Sequence, residues 1–385
     1  MSKKQGILTF HAAYNYGSCL QAYALQTFLN KNNNDFEIIN YRPYNQYGMY
    51  NLVNLRYFNK GVMVKNIYNL LHFRKIIARN KKYDDFIHKY YSLSNQNYLN
   101  ENELSEIINN YDTIVCGSDQ IWNLSKSTYD RSLAYYLELK EKFNGNAIAY
   151  APSFGDTVNN IIKNEMFDIK YLNNFDHLSF RENDVVKVMK DMGFDSTLVL
   201  DPTLLLNKED WEKLIGPPIV NKPYIFYYSL NCKKYSMKFV EKISKENNLP
   251  IITSFMHPRE SFKKMKIYGE SGPLEFLNLL YYSTLVCSNS FHGTVFSIIF
   301  EKDFYAIFDE DEKHNIVREN RKASLLEQLG LANHISSFSN YVTLDEIKKT
   351  DYVEVENKLE KLQKKSSDYL LNSIKEGKKH DKFWF

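Results

Sequence analysis

The sequence predicts an α/β chain folded as two parallel-sheet domains that face a cleft. Short apolar runs alternate with stretches of helical period in both halves. Polar clusters recur just past the ends of those runs, at the edge where open parallel sheets bind ligands. Pro217, Pro218 and Pro223 interrupt the alternation near its middle, as an interdomain linker would. The length of 385 residues also exceeds one ordinary domain.

Residues 6–11 are an apolar run that reads as the first strand. The loop 12–17 follows, and Ser18 can cap a helix whose period continues through Leu20, Tyr23, Ala24, Thr27 and Phe28. Residues 36–40 are a second strand, which completes a β-loop-α-β opening. Residues 44–98 are aromatic, basic and weakly periodic, and are expected to form helices inserted at the edge of the first domain. Strands are expected at 112–116, 146–151, 177–180 and 197–200, with a helix at 184–192. In the second half, strands at 224–228, 250–255, 284–288 and 304–308 alternate with helices at 234–247, 274–282, from 293, and 323–329. The result is a pair of Rossmann-like domains, 1–215 and 216–350. The segment 351–385 holds a charged helix, 354–375, and a basic aromatic tail. Leu359, Leu362, Tyr369 and Leu370 lie on one side of that helix, which is expected to pack back on the first domain.

Composition narrows the function. The formal net charge is +3, so the total gives no reason to expect a nucleic-acid partner. The four cysteines, Cys19, Cys116, Cys232 and Cys287, are far apart, which excludes a zinc ribbon or a local iron–sulfur motif, and no metal is expected. Cys116 and Cys287 fall in apolar strands and read as buried thiols, which suits a reducing cytoplasm. His11, Asn15 and Tyr16 break the apolar run after the basic N-terminus too early for a signal peptide. No stretch reaches the roughly 20 apolar residues of a membrane span.

The most informative segment runs from Val286 to Ser297, through Ser290, His292, Gly293 and Thr294. A buried strand passes through a small polar turn into a buried helix. Such a join collects free backbone amides and the positive end of the helix dipole, which bind phosphate or carboxylate. Here it also carries hydroxyls, a glycine for close approach and one imidazole, a set suited to phosphate chemistry. A second cluster is Gly117-Ser118-Asp119-Gln120-Ile121-Trp122-Asn123. Asp119, Gln120 and Asn123 could bind sugar hydroxyls and Trp122 could stack on a pyranose. Alternatively, Asp119 caps a helix and Trp122 is core. A third, Asn15-Tyr16-Gly17-Ser18 with Gln21 beyond it, either lines the cleft or is a capped turn. Arg181, beside Glu182, and Arg321 have the planar fork that suits carboxylate and phosphate, with surface ion pairs as the plainer use. Turn chemistry before Pro202 accounts for Asp201. The end of the chain alternates base and aromatic at Lys378, Lys379, Lys382, Phe383, Trp384 and Phe385, either as a loose tail or as a contact with an anionic membrane.

Taken together the segments resemble the polysaccharide pyruvyl transferase family. The matching pieces are GILTFHAAYNYGSCLQAYALQ, INYRP, VCGSDQIWN, AYAPSFG, LSFREND, LVLDPTLLL, the Asp210-Trp211 pair, LVCSNSFHGTVFSIIF and NRKASLL. The resemblance implies a glycosyltransferase-B-like pair of domains, with the acceptor on the first and the donor on the second. It implies transfer of pyruvate from phosphoenolpyruvate to a sugar diol, giving a cyclic ketal on a cell-surface polysaccharide or its lipid-linked precursor. No cofactor is implied. Donor-binding residues would be Arg181, Ser290, Gly293, Thr294 and Arg321. Acceptor-binding residues would be Asn15, Tyr16, Gly17, Gln21, Gln120, Trp122 and Asn123. His292 would be the general acid, with Asp119 or Glu182 as base. The work would be done in the cytoplasm or at the inner face of the cell membrane, where a polyprenyl-diphosphate-linked acceptor is reachable. Two departures from the family pattern bear on the acceptor: the Ala151-Pro152-Ser153 turn and the insertion 44–98. Other readings of the same architecture are a sugar-nucleotide glycosyltransferase and a non-catalytic scaffold of a glycan assembly complex.

Overall fold

The computed structural model describes residues 4–43, 50, 52–53, 60–123, 132–155, 169–230, 234–254, 265–311, 313–317 and 320–379, the side chains of 60, 234 and 320 excepted. The chain divides into two compact units. The first comprises Met1–Asn51, Ile87–Leu206 and Glu360–Phe385, and the second Leu52–Phe86 and Asn207–Leu359.

The first unit holds β1 (Lys4–Leu8), β2 (Phe36–Ile38), β3 (Tyr111–Cys116), β4 (Asn146–Ala149), β5 (His177–Phe180) and β6 (Thr197–Leu198). They form one sheet in the order β2-β1-β3-β4-β5-β6, parallel throughout. Ile114, Val115 and Cys116 are fully buried in succession, as expected of a strand covered on both faces. The helix Tyr16–Lys31 starts one turn earlier than the sequence suggested. Asn15 is its cap, and its side chain accepts the Ser18 amide at 3.2 Å. The long helix Tyr352–Glu376 returns to this unit, as expected. Ser366 Oγ accepts the Leu200 amide at 2.9 Å, Gln363 donates to the Leu204 carbonyl at 2.7 Å, and Asn146 donates to the Ser373 carbonyl at 2.9 Å.

The second unit holds β7 (Ile225–Tyr228), β8 (Ile251–Thr253), β9 (Met265–Ile267), β10 (Leu285–Ser288), β11 (Phe304–Ile307), the hairpin of β12 (Asp309–Glu310) and β13 (Ile316–Val317), and β14 (Ile335–Ser336). Its parallel sheet runs β14-β11-β10-β7-β8-β9. Counted within the main sheet, that is the order 3-2-1-4-5-6 of a dinucleotide-type Rossmann sheet. The insertion behaves differently from expectation. Residues 52–86 group with this unit and not with the first. Ion pairs from Lys75 to Glu270 at 3.6 Å and from Lys82 to Glu275 at 2.8 Å join them to it.

Each sheet has a switch point, where the chain first runs to one side of a strand and then to the other. It lies between β1 and β3 in the first unit, and between β7 and β10 in the second. Crevices at the carboxyl ends of those strands are where open α/β sheets hold ligands.

Candidate functional site

At the first switch point the residues after β1 and β3 are knitted together by Gln21. Its amide nitrogen donates to Thr9 Oγ1 at 2.9 Å and to the Ser18 carbonyl at 3.0 Å, and its oxygen accepts the Ser118 amide at 3.1 Å. Gly117 lets the chain leave β3 tightly. Its φ is +131°, and a Cβ there would meet the Tyr150 carbonyl oxygen at 2.0 Å. Asp119 follows in the left-handed region at φ 65°, and its carbonyl accepts the Ser153 amide at 2.9 Å. Ser18 Oγ donates to the Asp119 carboxylate.

Behind Asp119 lies a buried acid cluster around Arg181. The guanidinium donates from Nη1 to Asp201 Oδ2, while Nη2 lies 3.7 Å from Asp119 Oδ1 and Nε lies 3.9 Å from Glu182 Oε1. Asp201 Oδ2 also accepts from Ser118 Oγ at 3.2 Å. Its Oδ1 takes the Thr203 amide at 3.1 Å and the Thr203 hydroxyl at 2.7 Å. Glu182 accepts from Ser153 Oγ. Among the described residues one cation thus faces three carboxylates, and these four side chains together are formally anionic. Of the two carboxylates considered as base, Asp119 is the more reachable, with its side chain 12 % exposed against 2 % for Glu182. His11, also at this edge, is buried, and burial together with the Arg42 charge pushes it down to about 4, so it is neutral near pH 7.

At the second switch point Ser288 ends β10, and its hydroxyl donates to the Tyr228 carbonyl at the end of β7 at 3.0 Å. The Asn289 amide donates to the same carbonyl at 3.2 Å, and Asn289 Oδ1 accepts the Leu230 amide at 3.1 Å. The helix Phe291–Ile299 starts at once, with Ser290 as its cap residue, whose side chain makes no capping bond. Gly293 is required for packing, because a Cβ would meet Ser288 Oγ at 2.1 Å. His292 stands in the first turn, 7 % exposed, with its ring edge-on to Phe291 at 5.2 Å. Arg321 lies over the same Phe291 ring at 6.0 Å. Helix N-terminus, imidazole and guanidinium therefore share one aromatic neighbour, a set that suits an anion bearing phosphate and carboxylate.

The structure corrects several sequence assignments. Trp122 is fully buried. Its indole nitrogen donates to the Tyr135 carbonyl at 2.9 Å, and its ring stacks on Tyr136 at 4.9 Å, so it is core and no sugar platform. Gln21 is fully buried and Tyr16 nearly so; Gln21 holds the ends of β1 and β3 together and does not line a cleft surface. Gly17 is likewise buried, while Asn15 caps the helix. Thr294 turns its hydroxyl to the Ser290 carbonyl at 3.1 Å and is fully buried, so it serves the helix. Arg181 belongs to the first unit's acid cluster, where Asp201 takes one arm of its fork. Gln120 is half-buried, and its Oε1 accepts Asn123 Nδ2 at 3.0 Å. Ser290, His292, Gly293 and Arg321 are brought together as read. Lys382, Phe383, Trp384 and Phe385 lie outside the described residues, as does Cys232.

Sequence reasoning gave Ser118, Ser153 and Lys322 no role of their own and took Ser18 for the helix cap, a place that Asn15 holds. Lys322 is buried, with its ammonium donating to the Asn289 and Ile307 carbonyls, each at 2.9 Å, which ties the ends of β10 and β11. A lysine directly after Arg321 at a helix start was the available signal. Asp201 was read as turn chemistry, which holds for one oxygen; the other anchors Arg181.

By backbone geometry the chain is similar to a UDP-GlcNAc 2-epimerase of Methanocaldococcus jannaschii solved with UDP-GlcNAc and UDP. The TM-score is 0.50 at 14 % identity, covering 97 % of this chain and 99 % of that one. It is also similar to S. aureus MnaA solved with UDP, with a TM-score of 0.54 at 11 % identity, covering 97 % and 96 %. At such identities the likeness establishes the glycosyltransferase-B-like fold and nothing finer. Sequence comparison with curated proteins gives no match. The family model for polysaccharide pyruvyl transferase matches residues 15–307, which is most of the chain, and the chain belongs to that family.

Proposed function

We propose that the protein transfers pyruvate from phosphoenolpyruvate to two hydroxyls of one sugar, forming a cyclic ketal on a cell-surface glycan or its lipid-linked precursor and releasing phosphate. The observation that carries this reading is the turn at the second switch point. The Phe291–Ile299 helix begins there, and His292 and Arg321 both lie against the Phe291 ring at its start. Phosphoenolpyruvate carries a phosphate and a carboxylate, and this turn offers a helix terminus and a guanidinium.

In the proposed reaction a proton is delivered to the methylene carbon, which becomes the methyl group. One sugar hydroxyl adds to the adjacent carbon and loses its proton to a base. The second hydroxyl then displaces phosphate, which leaves with the second proton. His292 is the acid that assists proton delivery or phosphate departure. Asp119 is the base, chosen over Glu182 for its greater exposure. Ser18 and Arg181 hold the Asp119 carboxylate in place. We place the acceptor on the first unit, with Gln120 and Asn123, which follow Asp119 in the same segment, as polar side chains that meet it, and its carrier at the cytoplasmic membrane face.

The test is thermal stabilisation of the purified chain by phosphoenolpyruvate beside UDP- and GDP-sugars, followed by phosphate release with candidate acceptors. A ligand that binds only the native state raises its stability. Stabilisation by phosphoenolpyruvate, lost in Arg321→Ala, is expected. His292→Ala should lower turnover by about 10²–10⁴-fold while the protein still binds the donor. Stabilisation by a nucleotide sugar alone would replace this reading with glycosyl transfer. Wild-type turnover in His292→Ala would remove His292 from the chemistry.

A further inference from the structure

The two helices Lys60–Leu71 and Phe73–Tyr90 follow each other across His72 and carry an exposed apolar face. Met63, Val64, Ile67, Leu70 and Leu71 on the first, and Phe73 and Ile77 on the second, are exposed, Leu71 to 75 %. At the helical period the five on the first helix fall within an arc of about 120°. An apolar stripe of this kind on a protein surface marks a place of contact.

The same stretch is basic. From residue 61 to residue 83 there are Lys65, Arg74, Lys75, Arg79, Lys81 and Lys82, and no acid. The whole chain is only +3, so the rest of it is net acidic. Lys75 and Lys82 reach Glu270 and Glu275, and Lys81 reaches Asp85, which fastens the second helix. Lys65 and Arg79 lie within electrostatic reach of one another. Desolvation first, and then the Arg79 charge, hold the Lys65 ammonium below its ordinary pKa. Lys65 and Arg79 stand round their helices from the apolar residues, whereas Arg74 and Lys81, at about 60° and 40° from Ile77, lie exposed beside them and favour an anionic surface.

We propose that this face docks on an anionic lipid bilayer, with the apolar row in the interface and Arg74 and Lys81 at headgroup level. Helices with a large apolar stripe and basic flanks bind membranes this way, by buried apolar area plus attraction to anionic lipid. A second copy of the chain fits poorly. A two-fold interface sets a patch against itself, and cations would meet cations. The contact is peripheral, since among the described residues no helix is long and apolar enough to cross a membrane. The inference stands apart from the proposed chemistry and is read by binding alone.

The experiment is co-sedimentation of the full chain with phosphatidylcholine vesicles and with vesicles containing phosphatidylglycerol. Binding to the anionic vesicles only, weakened by salt, is expected. Ile67→Glu with Leu71→Glu should lower the partition coefficient about tenfold or more. Arg74→Glu with Lys81→Glu should do the same. All four positions are on the surface, and an unchanged melting curve shows that the variants fold. Removal of residues 377–385 should leave binding intact; loss on that removal would assign the contact to the tail and overturn the proposal. Absence of wild-type binding would overturn it, as would equal binding by the Ile67→Glu/Leu71→Glu variant. So would a wild-type dimer that this variant converts to monomer, since a second copy would then cover the face.

Discussion

Removing the Arg181 charge from the acid cluster should cost more than removing one of its carboxylates. Arg181 and Asp201 are both buried, with side chains 2 % and 0 % exposed. Arg181→Met keeps the bulk and deletes the charge. It leaves Asp119, Glu182 and Asp201 to repel one another, with Asp201 Oδ2 keeping only the Ser118 hydroxyl of the two donors named above. Breaking a buried ion pair from one side costs about 3–5 kcal/mol, and the repulsion puts this case at the upper end. Asp201→Asn differs in kind. The amide oxygen can still accept from Thr203 Oγ1 and N, and the guanidinium keeps Asp119 at 3.7 Å and Glu182 at 3.9 Å. Its cost should be that of one charge-assisted bond, about 1.5–3 kcal/mol. At roughly 2–4 °C per kcal/mol for a unit of this size, the first unit should melt about 5–10 °C lower in Arg181→Met than in Asp201→Asn. Scanning calorimetry that resolves the two units reads this directly. Equal melting temperatures, or a greater loss in Asp201→Asn, would mean that the three carboxylates do not act as one charged cluster.

Gly293→Ala should destabilise the second unit by about 1–3 kcal/mol in urea unfolding, because the new Cβ meets Ser288 Oγ at 2.1 Å and Ser288 Cβ at 2.9 Å. Adding Ser288→Gly should recover most of that loss. Trp122→Ala should cost about 3–5 kcal/mol, whereas Trp122→Phe, at a smaller cost, should leave the KM for any acceptor unchanged. A raised acceptor KM in Trp122→Phe would contradict its place in the core. His11 and His334 are both buried, and burial is the main cause that pushes each down to about 4. Their folded pKa lies below the unfolded value near 6.5, so their contribution to stability is complete above about pH 6.5 and is lost as pH falls toward 4. The slope is about 1.4 kcal/mol per pH unit for each histidine in that window. His334→Gln should flatten the acid-side melting profile of the second unit alone.

The alternation of strand and helix was legible because it is local. The strand 177–180 and the helix 234–247 were placed to the residue, since apolar runs and caps lie within a few residues of one another. The insertion was not legible in the same way. It leaves the first unit after one of its strands and returns before another, so sequence order attached it there. Its partners, Glu270 and Glu275, are nearly two hundred residues away, and no local pattern announces them. Trp122 posed the same difficulty. An aromatic beside Asp119 and Gln120 looks like a sugar platform until Tyr135 and Tyr136 take its indole and its face. The left-handed turn at Asp119 and the shared carboxylate of Asp201 likewise depend on chain segments remote in sequence.

The two switch points differ in charge, and that difference assigns their roles under the proposed chemistry. In the first unit Arg181 faces three carboxylates, and among the described residues these leave the site no positive surplus with which to receive a trianion. Its groups instead accept hydrogen bonds, which suits sugar hydroxyls and proton removal. In the second unit, residues 286–300 contain no acid, and the helix terminus, His292 and Arg321 all favour negative charge. A variant pair separates these roles. Arg321→Ala should raise the KM for phosphoenolpyruvate, because it removes a direct partner of the donor. Arg181→Lys keeps a cation among the carboxylates but loses the fork, so it should lower kcat with less change in that KM, through misplacement of Asp119. A larger donor KM effect from Arg181→Lys than from Arg321→Ala would reverse the assignment of donor and acceptor units.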